Sequence, residues 1–65
     1  MKEKVKKILQ KYNVSYTEYK EQLYPNTNVT IDCKERFIHF DWYAIRKEEI
    51  QMYIEILETL HEDTL

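Results

Sequence analysis

The last third of the chain, from Asp41 to Leu65, carries an apolar face too wide for a helix with one neighbour. Placed at about 100° per residue, Ile45, Met52, Tyr53, Ile56 and Leu60 form one stripe. Ile50, Ile54 and Leu57 form a second stripe beside it, with Tyr43 and His61 at its edge. Together the stripes cover about half the circumference, whereas a surface helix needs an apolar arc of about 100°. Such a helix needs two surfaces to pack on, and 65 residues have difficulty supplying both. The surplus stripe of Ile50, Ile54 and Leu57, with Tyr43, is therefore the candidate self-association surface. A homodimer is the expected state.

Size sharpens that expectation. One domain spanning residues 1–65 buries only about 60% of its extended surface, and a core so small rarely supplies more than about 3–5 kcal/mol without a staple. Cys33 is the only cysteine, so no intrachain disulfide can serve. Its solitude, and a Lys-rich start without an apolar signal-type core, make a reduced cytoplasmic setting the expectation. No apolar run approaches the ~18 residues of a membrane span. Oligomerisation is the staple that remains.

At 43% hydrophobic residues the chain belongs with folded rather than disordered proteins. Six of its nine aromatic residues are tyrosines, a side chain that gives interfaces contact area with a polar tip. AT-rich codons account for the same tyrosines, and for the absence of glycine, and point to a low-GC bacterium or one of its phages. The net charge of −2 is unevenly spread. Residues 1–11 hold five lysines against Glu3, and the rest of the chain holds five basic and eleven acidic side chains. Such asymmetry serves either a partner or the attraction of two segments within one fold.

Val5, Ile8, Leu9 and Tyr12 recur at helical spacing, which predicts a helix from Lys2 to Tyr12. Asn13 can end it, because Asn tolerates the left-handed conformation of a C-cap. Ser15 and Glu18 then match a capping box, and Val14 and Tyr19 a hydrophobic staple. These signals predict a second helix from Tyr16 to Tyr24, stopped by Pro25. The competing reading is an extended segment, since Val14 to Thr17 alternates and is rich in strand formers. After a turn at 25–28, Val29 and Ile31 alternate with polar residues, as do Ile38 and Phe40, so a hairpin forms around Cys33–Arg36. A two- or four-residue loop puts all four apolar residues on one face, whereas an odd loop mixes the faces. A lone hairpin is marginal in water, so that face must lie against helices. Asp41 is positioned to cap a long helix over 43–61. The expected fold is α+β, a small ααββα unit with a β-hairpin packed against a long C-terminal helix.

Residues 5–23 resemble a helix-turn-helix, with Tyr12, Val14 and Tyr19 at its apolar positions and Asn13 replacing its turn glycine. The resemblance implies DNA binding through Lys4, Lys6 and Lys7 of the first helix and Tyr16, Thr17 and Lys20 of the second. Leu9 stands where the motif wants a small residue and Gln22 where it wants an apolar one. The would-be reading helix also carries more acid than base, which suits phosphates poorly.

Glu48, Glu55, Glu62 and Glu58 line the long helix opposite its apolar arc, either as a solvated face or as a mimic of a nucleic-acid backbone. On the outer face of the hairpin Phe37 lies beside His39. Either the first two helices cover them, or they form with Trp42 a partner-binding patch. The second strand, ending at Phe40, could also pair with its own copy. Asp32, Cys33, His39 and Asp41 lie near one hairpin but show no recognised metal-ligand spacing. His61 is explained by the dipole at a helix C-terminus. Ser15 is the only serine, Cys33 has no neighbouring base in sequence, and no glycine-rich loop exists for phosphate. No catalytic residue, metal or cofactor is expected.

The function these features favour is a small protein-interaction module or inhibitor that is not an enzyme. It would act as a homodimer that binds and modulates another protein, as small phage and prophage inhibitors of this size do. The alternative is a DNA-binding regulator built on residues 5–23.

Overall fold

The computed structural model describes residues 1–41 and 45–62. The elements run α1 (Lys2–Lys11), β1 (Thr17–Tyr19), β2 (Gln22–Asn26), β3 (Val29–Asp32), β4 (Phe37–Phe40), a 3-10 turn (Lys47–Glu49) and α2 (Ile50–His61). The four strands form one antiparallel meander in the order β1-β2-β3-β4. This is a small α+β domain, with a helix on either side of the sheet in sequence.

α1 ends as its sequence predicts. Asn13 adopts φ 61°, its N–H bonds the Gln10 carbonyl at 3.0 Å, and the Val14 N–H bonds the Leu9 carbonyl at 2.9 Å. That pair of bonds is a Schellman motif with asparagine in the left-handed position.

The helix predicted over 16–24 does not form. Those residues make the β1–β2 hairpin, with Thr17 opposite Tyr24, Glu18 opposite Leu23 and Tyr19 opposite Gln22. The start signals are diverted. Val14 completes the α1 cap, and Glu18 pairs with Lys2 and Lys6 of α1 instead of reaching back to Ser15. What wins is the sheet: two strands alone are marginal, and β1 and β2 make four. Pro25 is not a helix stop but sits in β2 at the register shift between Leu23 and Asn26. There two residues, Tyr24 and Pro25, oppose Thr30 alone, a bulge that tolerates a residue without an N–H.

The β3–β4 hairpin has the four-residue loop and the register expected, Val29 opposite Phe40 and Ile31 opposite Ile38. Asp32 builds the loop: its Oδ1 accepts the N–H groups of Lys34 at 3.0 Å and Glu35 at 2.8 Å. Gln22 Nε2 donates to its other oxygen at 3.2 Å. Led by the Glu35 bond and opposed by burial, these bonds hold the Asp32 carboxyl below its ordinary 3.8.

Val5 and Leu9 of α1, Leu23, Val29 and Ile31 of the sheet, and Met52, Tyr53, Ile56 and Leu60 of α2 make one buried core with Cys33. Phe40 meets Tyr53 edge to face, with ring centroids 5.0 Å apart. α2 thus lies over the β4 side of the sheet, while α1 lies over the β1 side through Lys2, Lys6 and Glu18. Burial without a partner, among the described residues, pushes the Tyr53 hydroxyl up to about 12.

The long helix begins later than its sequence predicts. Arg46 is extended at φ −104°, ψ 139°, and Ile45, assigned to the core stripe, is exposed. Asp41 does not cap it: its N–H extends the ladder to the Asn28 carbonyl at 2.9 Å and its carboxylate meets His39 at 3.3 Å. The predicted positions of Trp42 and Tyr43 lie outside the described residues.

With no glycine in the chain, Lys20 at φ 54° and Arg36 at φ 64° occupy left-handed positions in two turns. A side chain there costs about 1 kcal/mol. Lys20→Gly and Arg36→Gly should each raise the melting temperature, by several degrees for a domain this small. Thermal melts of the two variants check this. Since the Asp32 carboxyl is held low when folded, its stabilisation is complete above about pH 4 and disappears as pH falls through its lower folded value. Denaturant titrations from pH 6 to pH 2 should therefore lose stability below pH 4, and Asp32→Ala should reduce that loss while lowering stability at pH 6.

Candidate interaction surfaces

Of the two stripes, the first is the core: Met52, Tyr53, Ile56 and Leu60 are all buried. The second faces solvent. Ile50, Ile54 and Leu57 are 44%, 43% and 37% exposed. They follow one another at i, i+4 and i+7, and His61 continues the series as an exposed residue. This 4-3-4 spacing is the a/d pattern with which one helix packs against another. Tyr43, assigned to the same surface, lies outside the described residues.

The outer face of the sheet is the second surface. Register places Tyr19, Gln22, Asp32 and Phe37 in one row, and Thr30 and His39 in the next. Both helices lie on the opposite face, so they do not cover Phe37, which is 45% exposed, or His39. Tyr19 is 61% exposed. The alternation that keeps Val29, Ile31, Ile38 and Phe40 toward the core sends these side chains outward. A polar chain crosses the middle: the Tyr24 hydroxyl donates to Gln22 Oε1, and Gln22 donates to Asp32. Trp42 lies outside the described residues.

The basic first helix is largely spent inside the molecule. Lys2 and Lys6 reach Glu18 at 2.8 and 3.1 Å, Lys11 reaches Glu55 at 2.8 Å, and Lys4 pairs with Glu62. The Tyr12 hydroxyl also donates to Glu55. Through these hydrogen bonds Lys2, Lys6 and Lys11 are raised and Glu18 and Glu55 lowered from their ordinary values. Two carboxylates of the acidic row, Glu55 and Glu62, therefore turn to α1.

The residues drawn from the helix-turn-helix resemblance do not form one reading surface. Tyr16, Thr17 and Lys20 stand before, on and after a strand rather than on a helix. Tyr16 packs against the core, with its hydroxyl accepting from Gln10 Nε2 at 3.2 Å. Lys4 and Lys6 are ion-paired, and Lys7 is exposed.

Among the described residues no group of three His, Cys, Asp or Glu side chains is placed to hold a metal. Cys33 is buried, and desolvation raises its thiol. Asp32 spends one oxygen on the loop and the other on Gln22. No helix among the described residues is long and apolar enough to cross a membrane.

Set against protein-family models, curated proteins and solved structures, the chain matches none.

Local pattern does not show Tyr19 as a surface residue, because it fits a helix staple; the strand-forming alternation of 14–17 is the signal that places it. Glu18→Lys gathers three cations where Lys2 and Lys6 now share a carboxylate. The variant should melt lower at low ionic strength and recover much of the difference in about 1 M salt, where the Debye length is about 3 Å.

Proposed function

We propose that this chain is a non-enzymatic interaction module that self-associates through α2 and binds and modulates another protein. The observation that carries the reading is the row of Ile50, Ile54 and Leu57, exposed on a helix whose other apolar stripe already fills the core. Three branched apolar residues at a/d spacing on a surface helix are an unfilled packing site. The open sheet face, with Phe37 and His39, offers the surface for a different partner, since aromatic residues are enriched where proteins meet.

DNA binding through residues 5–23 is the weaker reading, because it lacks a reading helix and two of its lysines, Lys4 and Lys6, have acidic partners within the chain. An inhibitor of the phage or prophage kind is the form of module that suits this size, and capture from source cells with and without nuclease would identify its target. The α2 stripe is tested by Ile54→Glu. In light scattering the parent should show twice the 8.1 kDa chain mass and the variant a single chain with unchanged circular dichroism. Equal masses for parent and variant would remove the stripe from the reading.

A further inference from the structure

The two edges of the sheet are built differently, and the difference fits a second copy of this chain. β1 is blunted. It has three residues, and its central Glu18, exposed but on the helix side of the sheet opposite Leu23, meets Lys2 and Lys6. Short length and an inward charge are devices that prevent edge pairing. β4 is short as well, at four residues, but Phe37-Ile38-His39-Phe40 contains no inward charge, lysine, proline or bulge, and among the described residues only β3 pairs with it. The Asp41 N–H bonds the Asn28 carbonyl, so alternation directs the backbone of residues 37, 39 and 41 toward β3. It leaves the N–H and C=O groups of Ile38 and Phe40 directed away.

The exposed stripe of α2 lies on the same side. At 3.6 residues per turn, the helix divides into three sectors about 120° apart. One is the core face of Met52, Tyr53, Ile56 and Leu60; another holds Glu55 and Glu62, which pair with Lys11 and Lys4 of α1. The third is Ile50, Ile54 and Leu57. Since α1 lies toward β1 and α2 toward β4, the flank of α2 turned away from α1 is the one nearer the β4 edge. A single two-fold axis beside β4 therefore serves both features. With each α2 axis over the β3–β4 pair, pairing β4 with its copy would set the two α2 helices about two strand spacings apart, about 10 Å, which is the distance at which helices pack.

We infer that two copies of this chain join antiparallel along β4 into one eight-stranded sheet, with Ile50, Ile54 and Leu57 of both copies packed over the seam. The inference rests on the self-association just proposed and adds its geometry. The register that uses Ile38 and Phe40 of both chains pairs Ile38 with Phe40 of the copy and puts His39 opposite His39 at the axis. Phe37 and His39 of both copies then share the centre of the outer face, so the partner surface is complete only in the dimer.

Disulfide trapping tests this. In a Cys33→Ala background, His39→Cys puts two thiols at a pair whose Cα atoms are about 4.5 Å apart, within the range a disulfide spans. Under mild oxidation the His39→Cys protein should run at twice the 8.1 kDa chain mass, at a concentration where Thr17→Cys on β1 gives less than about a tenth as much product. A parent that is dimeric by light scattering, but gives no trapped product with Phe37→Cys, His39→Cys or Asp41→Cys, would overturn the β4 seam and leave self-association standing. Trapping at Thr17→Cys equal to that at His39→Cys would overturn it also. A parent of single-chain mass at all concentrations would overturn both.

Discussion

The packing of α2 on the sheet is the interaction on which the rest of this small molecule depends. Met52, Tyr53, Ile56 and Leu60 supply four of the ten buried apolar residues among those described, and Leu23, Val29 and Ile31 meet them from the strands. Each such side chain contributes about 1.5–3 kcal/mol when fully buried. Neither partner is stable alone: the sheet has one face that must be covered, and a helix of twelve residues is marginal in water. β1 and β2 exist as strands because this arrangement rewards another pair of ladders more than it rewards a second short helix.

Around that core the chain neutralises its own charge asymmetry. The lysines of α1 meet Glu18 on one side and Glu55 and Glu62 on the other. Each exposed pair is worth little by itself, but together they orient α1 between the β1 edge and α2. The same pairs close the β1 edge with an inward carboxylate. Electrostatics and edge protection are thus one feature of the structure, and it is confined to one side of the molecule. Among the described residues the β4 strand has no such closure, and the apolar row of α2 stays exposed.

Much of this could be read from residue order. The α1 stripe, the asparagine cap, the four-residue loop after Asp32 and the register of Val29 and Ile31 against Ile38 and Phe40 all follow from local pattern. So does the division of the α2 residues into a buried and a surplus stripe. The turn expected at 25–28, by contrast, is confined to 27–28, with Pro25 and Asn26 in β2. The segment 16–24 reads as a helix because Ser15 and Glu18 match a capping box in which both ends serve the helix. In the fold Glu18 answers to lysines twelve and sixteen residues away. The start of α2 departs from its local pattern for a similar reason. Asp41 has the chemistry of a cap, but the β ladder and His39 claim it first.

The sequence by itself determined which side chains must leave water, because period and composition fix the apolar face of each segment. It also determined that one stripe of the last helix exceeds what a chain of this length can cover. Only the tertiary structure decided where that excess lies, and that the aromatic outer face is left open by both helices. It decided as well that lysines of the basic helix pair with acids of the same chain. Those outcomes depend on which elements become neighbours, and neighbours are chosen by pairings between residues far apart in the chain, to which local spacing carries no reference.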